Sequence, residues 1–150
     1  MIEKNFVTKS EDETEQIGRL LAKNLKGNEV IALCGDLGAG KTALVRGAAK
    51  ELHVDSDVSS PTFALVHEYE CESFPVYHFD MYRILSYEDL YSTGYFDYID
   101  TGVLFIEWSE NITEFLPDNK IEVTIKKCNE ATRDIKIKTK GEFTLENTWN

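Results

Sequence analysis

The first ordered pattern of apolar and polar positions begins at Ser10. Ser10-Glu11-Asp12-Glu13 sets a hydroxyl three positions ahead of a glutamate, the layout of a capping box, and Ile17, Leu20, Leu21 and Leu25 then recur along one helical face. This predicts a helix of about four turns stopped near Gly27. Glu29 to Cys34 is a short apolar run without alternation, as in a strand covered on both faces, and Ala43 to Leu52 reads as a second helix. From His53 to Pro61 the chain is polar and turn-rich, leading into an extended segment from Thr62 to Tyr69. Val76 to Asp80 and Val103 to Glu107 are two further buried-type strands, each ending on a carboxylate. Between them, residues 86–99 carry Tyr87, Tyr91, Tyr95, Phe96 and Tyr98 around Gly94, which predicts a short helix and a turn packed on the sheet. Ser109 is placed to cap a short helix that Pro117 would end. Ile121 to Ile125 and Ile135 to Lys138 alternate apolar with polar, the mark of a half-exposed antiparallel hairpin. The sum is an α/β fold: a mostly parallel sheet flanked by helices, with antiparallel edge strands. It forms one domain over residues 1–150, with no readable signal after about residue 141.

Composition narrows the class. Hydrophobic residues make up 42% and charged residues 29%, ordinary for a globular chain. The start, Met1 to Asn5, lacks the basic-then-apolar layout of a secretory signal, and no apolar stretch is long enough to span a bilayer. A cytoplasmic protein with no membrane partner is expected. Net charge is −11, from 16 basic and 27 acidic residues, so most of the surface repels nucleic acid. Autonomous DNA or RNA binding is not expected. Cys34, Cys71 and Cys128 are far apart and form no Cys-x-x-Cys pair, so they read as buried or idle thiols.

The chemistry gathers between the first predicted strand and the second helix. Gly35-Asp36-Leu37-Gly38-Ala39-Gly40-Lys41-Thr42 satisfies the phosphate-loop pattern Gly-x-x-x-x-Gly-Lys-Ser/Thr. The glycines let successive backbone N–H groups turn inward toward phosphate oxygens, and the following helix adds the positive end of its dipole. Lys41 would place its charge on the β and γ phosphates, and the Thr42 hydroxyl would coordinate Mg²⁺. The expected cofactors are therefore ATP and Mg²⁺. Such a site also needs a carboxylate at the end of a neighbouring strand, and both Asp80 and Glu107 qualify. A hydroxyl in Ser59-Ser60-Pro61-Thr62 would sense the γ phosphate as switch threonines do. His53 and His67 read as surface or sheet residues, while His78 shares the Asp80 face by strand periodicity.

Four ordered segments resemble the TsaE (YjeE) family: the glycine loop from Gly35 to Thr42, Ser60-Pro61-Thr62-Phe63, Tyr77-His78-Phe79-Asp80-Met81-Tyr82-Arg83, and Ile106-Glu107-Trp108. These are small bacterial ATPases required to make threonylcarbamoyladenosine in tRNAs that read codons starting with A. The resemblance runs from the Ser10 helix to Arg133 and implies a P-loop ATPase domain that acts on the TsaB–TsaD pair. In that pair TsaD transfers the threonylcarbamoyl group to tRNA, and hydrolysis of ATP permits repeated turnover. Transferred by motif, Gly35 and the stretch Gly38, Ala39, Gly40, Lys41, Thr42 and Ala43 hold the phosphates, with Lys41 also serving catalysis. Thr42 and Glu107 hold Mg²⁺, and Asp80 activates or positions the attacking water; the roles of Asp80 and Glu107 can be exchanged without violating the sequence. Thr62 belongs to the switch-like loop, and Arg133 matches a position near the nucleotide base. The tRNA would be met only through the partner, which suits an acidic chain.

Two enzymatic rivals share the glycine loop. A small-molecule kinase usually carries a lid of arginines, but this chain has only Arg19, Arg46, Arg83 and Arg133, and they are scattered. A GTPase reads guanine with Asn-Lys-x-Asp; Asn119-Lys120-Ile121-Glu122 has Glu in the acid position and precedes an alternating hairpin. A third reading is a regulatory module in which ATP is a signalling ligand and hydrolysis is incidental.

Overall fold

A computed structural model of the chain describes residues 2–36, 38–54, 57–59 and 66–139. Its strands are β1 (Ile2–Thr8), β2 (Val30–Cys34), β3 (Val66–Tyr69), β4 (Val76–Asp80), β5 (Val103–Glu107), β6 (Ile121–Lys127) and β7 (Arg133–Thr139). They form one sheet in the order β1-β7-β6-β2-β5-β4-β3. The four central strands β6, β2, β5 and β4 are parallel, while β1, β7 and β3 join antiparallel. The carboxyl ends of the four parallel strands therefore lie on one rim, where ligands of open α/β sheets collect. Across that rim Leu33 and Asp80 both pair with Glu107, which aligns the exits of β2, β5 and β4.

Helices α1 (Glu11–Ala22) and α2 (Lys41–Glu51) cover one face. Ser10 caps α1 by accepting from the Glu13 N–H at 3.1 Å, while the Glu13 carboxylate accepts from the Lys9 N–H. The helix ends before the expected Gly27, because the Asn24 side chain donates to Leu20 O and the backbone tightens at Asn24 and Leu25. Leu25 still packs on the core from the following turn. Ile17, Leu21, Leu44 and Ala48 meet Ile31, Leu33, Phe105, Val123 and Ile125 of the sheet. Each large apolar side chain so buried contributes about 1.5–3 kcal/mol. The two helices approach closely because Gly18 and Gly47 have no side chain: a Cβ at Gly47 would run into the carbonyl oxygen of Glu15, and one at Gly18 into that of Leu44.

The other face is covered by α3 (Tyr87–Ser92), α4 (Tyr95–Tyr98) and the 3₁₀ helix Ser109–Phe115. Leu90, Tyr95 and Ile112 pack there against Tyr77, Phe79, Leu104 and Ile106. The Tyr-rich stretch thus makes two short helices rather than one helix and a turn, since Gly94 at φ 82° breaks the run. It also divides: Tyr95 is fully buried, whereas Tyr87, Tyr91 and Phe96 are exposed. Ser109 is not the cap of the 3₁₀ helix. Trp108 holds that position at φ 58°, and the Ser109 hydroxyl instead donates to Leu33 O at 3.1 Å.

The predicted hairpin exists, but it lies inside the sheet, with β6 pairing parallel to β2. The edge at that end is β1, a strand the sequence pattern did not reveal, which pairs with β7 over seven residues. Asn119 and Lys120 precede β6, so they sit at the opposite rim from the glycine loop. Thr62, with the rest of Ser60-Pro61-Thr62-Phe63, lies outside the described residues, as do Leu37 and the tail from residue 140. Among the described residues no helix is long and apolar enough to cross a membrane.

Candidate functional site

The glycine loop leaves β2 at Cys34 and enters α2 at Lys41. Gly35 has φ 147°, and a Cβ there would strike the Ile125 carbonyl oxygen of β6, so the turn can be made only by glycine. Gly40, at φ 112°, occupies the N-cap position of α2 without a side-chain cap, leaving the first N–H groups of that helix directed at the rim. Beside them opens a cavity of about 820 Å³. Its walls are the loop and the start of α2, Lys9 to Glu11 and Thr14 at the start of α1, Asp80 at the end of β4 with Tyr82 beyond it, Glu107 at the end of β5 with Trp108 beyond it, and the β6–β7 turn up to Arg133. That volume is in the range of pockets that hold small-molecule ligands and cofactors.

Most of the expected residues line this cavity; Gly35 does not, and Thr62 lies outside the described residues. The Thr42 hydroxyl donates to the Glu107 carboxylate at 3.1–3.2 Å from its two oxygens. The Lys41 ammonium donates to the carbonyls of Gly35 and Asp36 and lies 4.2 Å from the Trp108 ring centroid. Burial lowers the Lys41 ammonium below its ordinary 10.5, against the opposing pull of Glu107, Glu110 and Asp80. Asp80 is buried at the end of β4, directly beside Glu107 in the sheet register, and accepts from the Tyr82 N–H at 2.9 Å. Gly38, Ala39 and Ala43 line the same space.

Arg133 enters from the start of β7. Its guanidinium donates to the carbonyls of Ala39 (2.8 Å) and Gly38 (3.2 Å), and also to Asn129 O at 2.7 Å. It thereby ties the β6–β7 turn to the back of the glycine loop.

Thr42 and Glu107 together present hard oxygen donors at the head of a helix. Among the described residues no cluster of three or more His, Cys, Asp or Glu could hold a metal ion by itself. One or two protein oxygens of this kind, with phosphates and water, are how a small, hard cation such as Mg²⁺ is commonly held. The three cysteines are free, and none joins the site.

Sequence reasoning placed Trp108 next to a metal-ligand candidate but not over Lys41. It did not foresee the wall made by Lys9, Ser10, Glu11 and Thr14, which follow the unrecognised strand β1. His78 proves to be more than a neighbour of Asp80: it is fully buried, with Nε2 against the Glu107 carboxylate.

Comparison with known proteins identifies the family. The family described as "Threonylcarbamoyl adenosine biosynthesis protein TsaE" matches residues 8–135. A tRNA threonylcarbamoyladenosine biosynthesis protein TsaE from Rickettsia typhi is 41% identical over 130 residues, covering 86% of this chain and 90% of the relative. The protein of the same name from Bacillus subtilis is 38% identical over 135 residues, covering 89% and 84%. The crystal structure of Bacillus subtilis YdiB superposes with a TM-score of 0.77 at 33% identity, covering 93% of this chain and 87% of that one. Motifs, sheet order and relatives converge: this chain belongs to the TsaE family.

Proposed function

We propose that the chain binds ATP with Mg²⁺ in the rim cavity and hydrolyses it as an accessory ATPase of tRNA threonylcarbamoyladenosine synthesis, acting on the TsaB–TsaD pair to permit repeated turnover. The observation that carries this reading is the meeting of Lys41 and Thr42, at the head of α2, with Glu107 and Asp80 at the exits of β5 and β4.

On this reading the N–H groups from Gly38 to Thr42 receive phosphate oxygens, and Lys41 turns from the loop carbonyls toward the β and γ phosphates. Thr42 and Glu107 hold the magnesium. Once bound, the ion supplies positive charge against the β and γ oxygens. Asp80, neighbouring Glu107 across the register, positions the attacking water and accepts its proton. Thr62, beyond the described residues, is assigned to sensing the γ phosphate.

The arginines argue for slow turnover alone. Arg133 is spent on loop carbonyls, Arg46 pairs with Glu11 at 2.7 Å and Glu15 at 3.5 Å, and Arg19 and Arg83 do not line the cavity. With no arginine finger poised over the phosphates, a phosphate-loop protein hydrolyses slowly. The guanine-reading alternative is disfavoured because Asn119 and Lys120 lie at the far rim.

The test is hydrolysis of ATP and of GTP with and without the TsaB–TsaD pair. Slow ATP turnover that rises on adding the pair, with GTP discriminated against, is expected. Unchanged rate and affinity in the presence of the pair would overturn the partner assignment, and absence of adenine-nucleotide binding would overturn the whole reading.

A further inference from the structure

Behind Glu107 runs a buried line of hydrogen bonds that the proposed chemistry leaves without a role. Val103, Phe105 and Glu107 alternate onto the α1–α2 face of β5, and Val76 and His78 onto the same face of β4, so His78 stands diagonally behind Glu107. His78 Nε2 lies 2.5 Å from Glu107 Oε2, and its Nδ1 lies 3.2 Å from the Tyr69 hydroxyl of β3. His78 is 0% exposed and Tyr69 4%. The Tyr69 hydroxyl also lies 3.4 Å from Ser59 O, in the segment that follows α2, and 3.4 Å from His67 Nδ1.

Hydrogen-bond accounting gives this line a direction. An ionised carboxylate only accepts, so the nitrogen facing Glu107 must carry a proton. A neutral imidazole then has a bare Nδ1, which needs a donor, and the Tyr69 hydroxyl is within reach of it. Without that hydroxyl the ring keeps its Nε2–H bond to Glu107 but is left with a bare, buried Nδ1, so it loses one of the two anchors that set its orientation. Outer-shell partners of this kind orient ligating groups, and their loss commonly weakens metal affinity by roughly tenfold to a hundredfold.

We propose that Tyr69 and His78 are positioning residues: the Tyr69 O–H donates to His78 Nδ1, which fixes the proton on Nε2, and Nε2–H orients the Glu107 carboxylate toward Thr42 and the metal. This rests on the reading of Glu107 and Thr42 as the Mg²⁺ ligands. The one phenolic proton cannot serve two acceptors, so in this arrangement Ser59 O, 3.4 Å from the same hydroxyl, is the acceptor it forgoes.

Two measurements on the full chain test it. With only three histidines present, ¹⁵N-labelled imidazole spectra of the metal-free protein report the His78 tautomer directly. A proton on Nε2 in the wild type is expected, with the Nδ1 resonance shifting in Tyr69→Phe as that nitrogen loses its donor. A proton on Nδ1, a doubly protonated ring, or an unchanged Nδ1 resonance in Tyr69→Phe would each overturn the relay.

The second measurement is calorimetric binding of ATP with Mg²⁺ and with a chelator, in Tyr69→Phe, in His78→Gln, and in the double variant. Tyr69→Phe should lower the Mg²⁺-dependent gain in affinity roughly tenfold while leaving chelator-state binding unchanged. The glutamine amide donates to Glu107 whatever its other neighbour does, so Tyr69→Phe should cost little in the His78→Gln background. An equal loss in both backgrounds, or a loss that persists in the chelator, marks a merely structural role and overturns the proposal. A wild type with no Mg²⁺-dependent gain would instead sink the metal assignment beneath it, a result distinct from a normal wild type with unaffected variants, which sinks the relay alone.

Discussion

The Lys41 ammonium rests 4.2 Å from the centre of the Trp108 ring while it donates to two carbonyls of its own loop. A cation over an indole face is stabilised by about 0.5–2 kcal/mol, so on the proposed reading the lysine must leave a populated resting place to meet phosphates. In a Trp149→Phe background, which leaves Trp108 as the sole indole, titration with Mg²⁺–ATP should change the Trp108 emission. Lys41→Ala should alter the starting emission and abolish the nucleotide response; a full response in that variant would refute the coupling.

Lys41 and Asp80 should separate binding from turnover. If Lys41 is the counter-ion of the phosphates, as proposed, Lys41→Ala should weaken binding and stop hydrolysis together. Asp80→Asn keeps the acceptor for the Tyr82 N–H and so preserves the turn after β4, while losing the carboxylate charge. It should spare affinity and lower the rate by a factor on the order of 100, within the range for a positioned general base. Calorimetry beside a steady-state assay checks the division, and equal loss of affinity in the two variants would contradict it.

Arg133 offers a sharper discrimination. Its hydrogen bonds to Gly38 and Ala39 shape the loop itself. Charged donors of this kind contribute about 1.5–3 kcal/mol, so Arg133→Met should weaken nucleotide binding by roughly one to two decades. The loss should be equal for ATP and for inorganic tripolyphosphate. A loss confined to ATP would place the arginine at the base instead.

The fold carries an alkaline weakness at Tyr95. Burial raises its phenol to about 12, and its hydroxyl donates to Phe115 O at 2.9 Å. In the unfolded chain the phenol ionises near pH 10, so between about 10 and 12 the unfolded state holds fewer protons than the folded state. The stabilisation is complete below that window and is lost as pH rises through it. Denaturation followed across the window should show a steeper decline for the wild type than for Tyr95→Phe. The variant should start about 1 kcal/mol less stable, through the lost hydrogen bond.

Gly47→Ala addresses the seam between α1 and α2. A methyl there would meet the Glu15 carbonyl, and forced overpacking costs typically 1–3 kcal/mol. A melting temperature lower by about 5 °C is expected for a chain of this size. A variant that melts like the wild type would show that the helices can separate freely.

Legibility in the sequence followed how local each signal was. Ser10 and Glu13 announce α1 because the cap is made by neighbours, and β2, β4 and β5 are plain because strands buried on both faces are mostly apolar, without alternation. The glycine loop could be read residue by residue, since each position answers to a backbone requirement. Strand β1 escaped notice because Glu3, Lys4 and Asn5 interrupt its alternation, and it is held by pairing with β7, more than a hundred residues away. The position of the hairpin inside the sheet was hidden for the same reason: its parallel partner, β2, is distant in the chain. Within the site, Asp80 and Glu107 were visible as strand-ending carboxylates, but the bonds from Tyr69 through His78 to Glu107 depend on three strands coming into register.

Strand β1 also screens the main-chain donors and acceptors of β7, whose inward positions include Ile135 and Ile137. Stripping away residues 2–8 would leave a seven-residue template ready to recruit another chain, besides loosening the wall formed by Lys9 to Thr14. Such a shortened protein would fail first by self-association in solution rather than by a gradual loss of nucleotide affinity.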